Sequence, residues 1–348
     1  MMKQAAEPGL RPTKLRARHL LVTLLLLLAV VLGAILLGAI DLGAGRVLGE
    51  IWAQLTGGVS PLSAQEAAIL WEIRVPRVML GCLVGAALAG AGAAYQGVFA
   101  NPLADPYLLG AAAGAGLTAT VAVVAGADTS GGLVPIVAFA GAIGGVVLTW
   151  TLGRAAGRGT MTLLLAGVVI SAFLTAVQTF VQQLDTTTIS KLYSWMLGGL
   201  GSPGWSQILS VLPYIVLAGI VLCCCARLLD VLTLGDEEAA ALGIRPGLVR
   251  MLVLGAACLA TAAAVSMSGL IGFVGIVVPH AIRLLVGASH RILIPLSLLG
   301  GAAFLVAADV AARTVLAPAE LPLGVVTACV GAPFFLVILR KGARNGRA

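Results

Sequence analysis

The sequence predicts an all-α integral membrane protein with ten transmembrane helices. Three observations lead there. Sixty per cent of the 348 residues are hydrophobic and 10% are charged, which leaves a soluble chain of this size short of polar surface. Apolar runs of the ~20 residues that a spanning helix needs recur from one end to the other. The basic residues also sort by side once ten spans are drawn.

The first 18 residues are polar and basic, with Lys3, Arg11, Lys14, Arg16 and Arg18, and an apolar run from Leu20 to Ile40 follows. That run exceeds the ~7–15 residues of a signal-peptide core, and no small-residue cleavage site closes it. It reads as a retained first helix with a cytoplasmic N-terminus. The ten spans fall at about 19–40, 75–99, 108–126, 132–153, 161–183, 206–228, 247–267, 271–287, 292–314 and 322–340. Residues 1–18 and 341–348 are then cytoplasmic tails around one transmembrane domain, 19–340. Segments 41–73 and 184–205 are the longest outer ones. Both are semi-apolar and helix-compatible, which suits short interfacial or re-entrant helices.

With both termini inside, sixteen of the 21 Lys and Arg fall on the inner side. Besides the two tails they include Arg154, Arg158, Arg227, Arg245, Arg250, Arg283, Arg291 and Arg340. Five fall outside: Arg46, Arg74, Arg77, Lys191 and Arg313. The net charge of +7 is therefore a topology signal, and nucleic acid is not among the expected partners. Gly81/Gly85, Gly110/Gly114 and Gly141/Gly145 have the small-xxx-small spacing that lets helices approach closely. A faint inverted repeat relates Ile73-Arg74-Val75-Pro76, before span 2, to Ile244-Arg245-Pro246, before span 7, a habit of transporters.

No catalytic chemistry is legible. Cys82, Cys223, Cys224, Cys225, Cys258 and Cys329 form no C-x-x-C pair and read as small apolar residues. His280, after Pro279, reads as a packing or hydrogen-bonding residue, with Arg283 three positions on. No carboxylate is spaced to complete a metal site. There is no phosphate-binding loop and no H-E-x-x-H. The chain is expected to be neither an enzyme nor a cofactor carrier. Active transport would draw on another chain or on an ion gradient.

Four features carry the functional reading. Ser171, Thr175, Gln178, Thr179 and Gln182 recur at three- and four-residue spacing in span 5, so they share one helical face. In lipid that face must meet protein or water, either as a translocation pathway or as interhelical hydrogen bonding. Asn101 to Gly110 holds two prolines and cannot be a continuous helix. Between spans 6 and 7, Gly235, Asp236, Glu237 and Glu238 open a short run of helix formers that Gly243 can cap. That run is either a docking knob or a solvated connector. Arg74, Arg77 and Arg313 stand on the outer side against the charge bias. They suggest a cationic patch for an acidic partner, although Asp309 is placed to pair with Arg313.

Taken together, Ile73-Arg74-Val75-Pro76-Arg77, the Asn101–Gly110 loop, Leu234–Gly243 and the C-terminal third resemble the FecCD permeases, the type II ABC importers of ferric siderophores, haem and cobalamin. That third reads GLIGFVGIVVPHAIRLLVG (269–287), HRILIP (290–295), AADVAAR (307–313) and ELPLGVVTACVGAPFFLVIL (320–339). The resemblance runs from about Trp71 to Arg340. It implies the type II importer permease fold, a dimer of permease subunits (identical or paired different chains), two cytoplasmic ABC ATPase subunits and an extracytoplasmic substrate-binding protein. It also implies that Gly235, Asp236, Glu237, Glu238, Ala240, Leu242 and Gly243 couple to the ATPase, and that Arg74, Arg77 and Arg313 dock the binding protein. Asn101 and Leu103 match an inner gate. Thr160 matches part of a second gate, with Met161 where the cobalamin member has Ser. Span 5 corresponds to a pathway-lining helix. The expected cargo is an iron(III)-siderophore or a related metal chelate, with cobalamin or haem as the alternative. An ion-coupled secondary transporter is the rival class; it needs an intramembrane ionisable residue, for which Asp309 is the nearest choice.

Overall fold

A computed structural model describes residues 17–38, 40–128, 132–157, 159–185 and 189–345. The predicted basic positions Lys3, Arg11, Lys14, Arg16, Arg158 and Arg347 lie outside these. No strand occurs among the described residues. Helix α1 (Ala17–Leu36) presents Leu21, Leu24, Leu25 and Leu28 outward, as an apolar helix in lipid should. Two outer helices follow. In α2 (Ala44–Thr56), Val47, Glu50 and Ala53 face inward while Trp52 and Leu55 are exposed. In α3 (Ala64–Ala68), Ser63 and Glu66 form a reciprocal capping box.

The chain then runs without a break through a π-helical turn, Ile69–Arg74, into α4 (Val75–Val98). Pro76 offers no N–H to the preceding turn, and the wider turn absorbs that loss. Helices α5 (Ala111–Val124), α6 (Leu133–Ala156), α7 (Thr160–Leu184), α8 (Ile189–Met196) and α9 (Trp205–Leu232) come next. The last five are α10 (Asp236–Ala241), α11 (Pro246–Ser268), α12 (Val274–Val286), α13 (His290–Thr314) and α14 (Leu323–Asn345).

Among the described residues seven helices are long and apolar enough to cross a membrane, and the shorter α5 and α12, with the apolar stretch Leu323–Ile338 of α14, occupy the predicted third, eighth and tenth spans. The all-α, ten-span expectation is met, and so are the expected short helices in 41–73 and 184–205, namely α2, α3 and α8. Several boundaries differ. Span 1 ends at Leu36 rather than 40. The helix of span 2 begins as far back as Ala64. Helix α14 runs on to Asn345, into the segment expected as a tail.

Helix α4 is the hub, packed by α9, α11, α12 and α13. Its buried face reads Val84, Gly85, Ala87, Leu88, Ala89, Gly90, Ala91, Gly92, Ala93 and Ala94. Without a hydrophobic force between helices in lipid, close packing must supply the attraction. Gly85 shows how. A side chain there would collide with the Gly301 backbone of α13, and one at Gly301 with the Gly85 backbone. The predicted Gly114 and Gly141 meet in the same reciprocal way between α5 and α6.

Candidate translocation and coupling sites

At the outer end, Arg77 spends its whole guanidinium. Nε and Nη2 donate to Asp309 Oδ1 at 3.1 and 2.9 Å, and Nη1 and Nη2 donate to the two Glu320 oxygens at 2.9 Å. Arg313 Nε lies 2.9 Å from the other Asp309 oxygen. Arg74 donates to the carbonyls of Ile35 at 2.9 Å and Ile40 at 2.7 Å, where α1 ends and its last carbonyls lack helical partners. Arg74 and Arg313 are buried. The three arginines therefore do not form an exposed cationic patch. Their charge is consumed by Asp309, by Glu320 and by the end of α1. The expected Asp309–Arg313 pairing is formed, and Asp309 is held between two arginines.

The five stripe residues of α7 do share a face, but on the shoulder of its buried side. Gln178 is buried, Ser171 and Gln182 are half-buried, and Thr175 and Thr179 are exposed. Gln178 lies over Gly116 of α5, where a side chain would have to push its amide aside. The amides of Gln178 and Gln182 reach the Met196 sulfur of α8 at 3.2 and 3.7 Å. The stripe thus ties α7 to α8. Beyond α8, Gly199 N–H donates to Ser268 O at 2.9 Å, and the N–H groups of Leu323 and Gly324 donate to Gly198 and Leu197. That short segment joins the outer ends of α8, α11 and α14. Beside it lies a cavity of about 650 Å³ lined by Ser190, Ser194, Trp195, Ser202, Gln207 and Ser268, with no ionisable side chain among the described residues of its wall.

The two short spanning helices explain each other. At the ~1.5 Å rise of an α-helix, α5 and α12 fall well short of the ~30 Å core. Each is preceded by non-helical chain, 101–110 and 269–273. These two stretches meet: the Tyr107 hydroxyl donates to Ile271 O at 3.0 Å and accepts from Ile271 N–H at 3.1 Å. Irregular backbone at membrane depth is tolerated only where protein or water satisfies it. Phe273 opens α12 at φ +69° with its ring against Gly331 of α14, a strained conformation for an aromatic residue. Residue patterns marked the 101–110 loop but not its partner, because Ile271 read as an ordinary apolar position at the start of span 8.

Asn101 and Leu103 sit at the inner end of α4, exposed, with Asn101 Oδ1 accepting from Leu103 N–H at 2.9 Å. Thr160 and Met161 open α7 at the same side, and Met161 is exposed. No hydrogen bond among the described residues links the two pairs. At the inner surface α10 forms as expected, shorter than the 235–243 stretch. Ala239 is buried as its anchor, while Glu237, Glu238, Ala240, Leu242 and Gly243 are exposed. Gly235 and Gly243 have φ of +118° and +80°, the region that favours glycine. Arg250 clamps Asp236 with two bonds of 2.7 Å. The hydrogen bonds from Arg250 hold the Asp236 carboxyl below the usual carboxylate range.

One polar cluster was not anticipated. Asp230, at the end of α9, accepts from the Ser289 hydroxyl at 2.7 Å and from the His290 N–H at 2.6 Å, and faces His290 Nδ1 at 2.9 Å. It caps the start of α13. An acid late in an apolar run is the signal that could have found it. Among the described residues no three His, Cys, Asp or Glu gather into a metal site. The six cysteines are free thiols.

A model of the FecCD transport family matches residues 24–341. The cobalamin import system permease protein BtuC of Halobacterium salinarum is 43% identical over 289 residues, 83% of this chain and 77% of that protein. The vitamin B12 import system permease protein BtuC of Salmonella typhi is 41% identical over 290 residues, covering 81% and 87%. A solved structure of a metal-chelate type ABC transporter in an inward-facing conformation superposes with a TM-score of 0.79 at 28% identity, over 93% of this chain and 99% of that one.

Proposed function

This chain belongs to the FecCD transport family as a multi-pass permease subunit of an ABC importer in the cytoplasmic membrane, and we propose that it passes cobalamin or a metal chelate of similar size. The observation that carries this choice is the 43% identity to a relative named for cobalamin import. An iron(III)-siderophore, the first expectation from sequence, is the competing cargo. An outer cavity whose described lining is uncharged and an α7 stripe without ionisable groups suit a bulky ligand whose metal charge is already masked.

In this proposal the chain hydrolyses nothing. Two ATPase subunits engage α10 and its flanking glycines, with Leu242 and Ala240 on the contact. A second permease subunit covers the open side of α7, and the pathway runs past Ser171, Thr175, Gln178, Thr179 and Gln182. Asn101 and Leu103, with Thr160 and Met161, close its inner end. The binding protein docks over the Arg77–Glu320 pair, where an acidic side chain would compete with Glu320 for the guanidinium. Arg74 and Arg313 hold that pair in place from below. The ion-coupled alternative is disfavoured because Asp309 lies clamped between Arg77 and Arg313, with both of its oxygens already engaged by guanidinium groups.

Retention of cobalamin, haem and a ferric siderophore by the cognate binding protein, followed by uptake into proteoliposomes holding permease and ATPase, tests the cargo. Cobalamin uptake at the lowest concentration is expected. Uptake of the siderophore alone would reassign the cargo, and uptake without any ATPase would remove the importer reading.

A further inference from the structure

Arg283 differs from the other inner arginines. Arg227, Arg245 and Arg291 are exposed, as residues that serve only topology should be. Arg283 is half-buried on the last turns of α12, and its Nη1 is buried with no hydrogen-bond partner among the described residues. It forms no ion pair among them either. Its Nη2 donates to Gln96 Oε1 of α4 at 2.7 Å. Gln96 is itself fixed: it is 4% exposed, and its amide nitrogen donates to Gly275 O at 3.1 Å. The guanidinium is thus held at one corner by a neutral group while another of its donors is left unspent.

His280 lies three residues earlier, on the same face of α12. It packs edge-on to Phe334 and Phe335 of α14, with ring centroids 6.1 and 5.7 Å away. Its Nδ1 is also buried without a partner among the described residues. Unspent donors on a cation away from bulk water are costly unless an anion meets them. A guanidinium fork suits carboxylate or phosphate. We infer that Arg283, positioned by Gln96 and flanked by His280, receives an anionic oxygen group at the inner end of α12. Two sources supply that chemistry: an inner-leaflet phospholipid headgroup, for which the adjacent exposed Leu284 and Leu285 offer an acyl-chain surface, or a carboxylate or phosphate on a soluble solute entering beside α14. The inference stands independently of the cargo proposed above.

The test uses the full chain assembled with its ATPase in nanodiscs of phosphatidylcholine and phosphatidylglycerol. Native mass spectrometry counts retained phosphatidylglycerol, and titration calorimetry with citrate reads the soluble carboxylate. Arg283→Gln should lower one of the two by about tenfold. Arg283→Lys, which keeps the charge but loses the fork, should fall between it and the parent. Arg227→Gln should change neither. Loss of phosphatidylglycerol alone assigns the site to lipid, and loss of citrate alone assigns it to a soluble anion. If Arg283→Gln does not assemble, Arg283→Lys against Arg227→Gln carries the same comparison. Parent-like values for both probes in the Arg283 variants, or an equal loss in Arg227→Gln, would overturn the inference.

Discussion

Helices α4 and α7 are nearly equal in length, 24 and 25 residues, and both are apolar, yet they live in different surroundings. Helix α4 is buried on almost every side by its own chain. Helix α7 buries only Leu163, Gly167, Ile170, Leu174 and Gln178. Its other faces leave Val168, Val169, Phe173 and Phe180 exposed. The difference is written in residue size. Helix α4 is glycine and alanine where neighbours cross it, so backbones touch. Helix α7 carries large apolar side chains where no neighbour from the same chain arrives. One helix is scaffold. The other packs along one side on α5 and α6, is linked to α8 through Gln178 and Gln182, and leaves its remaining surface for lipid and for a second subunit.

The contrast can be broken hardest at Asp309. Replacing it with Ala leaves Arg77 and Arg313 without their shared carboxylate at the outer end of α4 and α13. Removing one partner of a buried ion pair costs about 3–5 kcal/mol. The expected result is a large drop in the melting temperature of the detergent-solubilised chain, and an unchanged melt would mean water already reaches that network. A second break is Gly85→Val, which forces a side chain into the Gly301 backbone and should cost about 1–3 kcal/mol. The matched change on α7, Phe173→Leu, should stay within about 0.5 kcal/mol as a lone subunit. Equal losses in the two variants would erase the distinction between the helices.

Smaller changes sharpen it. Gln178→Leu should cost about 1 kcal/mol or less in stability, yet it frees α8 from one of its two tethers to α7. Uptake should fall while assembly with the ATPase survives; normal uptake would deny the tether a role. A similarly small stability effect is expected for Arg250→Ala, under about 1 kcal/mol, because Asp236 is largely exposed. Its signature is lost coordination of α10 rather than lost fold, read as ATP hydrolysis that no longer tracks transport.

Much of this architecture was legible because lipid imposes it. Spans must be ~20 apolar residues, so helix number followed from counting, while the cations carried the expectation for sidedness. What escaped was set by distant partners. Arg77 and Asp309 are 232 positions apart, and the partners of Arg74 are backbone carbonyls, which carry no sequence signal. The sequence therefore showed three outer charges and the local Asp309–Arg313 pair, but not the other contacts that consume them. Spans 3 and 8 were drawn too long for a related reason. Leu108, Leu109 and Ile271 are apolar because protein surrounds them, not because they are helical. The periodicity of α7 predicted a shared polar face correctly, but periodicity cannot say which neighbour that face meets. Gly243 was the reverse case: its place after a short acidic helix pointed to a left-handed turn, and φ is +80°.

The central claim is that ATPase motion enters this chain through α10 and the glycines beside it. Proteoliposomes holding the permease, its ATPase and the loaded binding protein allow uptake and ATP hydrolysis to be recorded together for the parent, Ala240→Arg and Gly243→Val. The account predicts uptake by the parent only with both ATPase and ATP. In the variants it predicts retained membrane insertion and retained hydrolysis with uptake reduced about tenfold or more, since a β-branched residue is strained at that φ and a charged side chain obstructs the exposed face of α10. Parent-like uptake by both variants, or accumulation by the permease with no ATPase present, would contradict it.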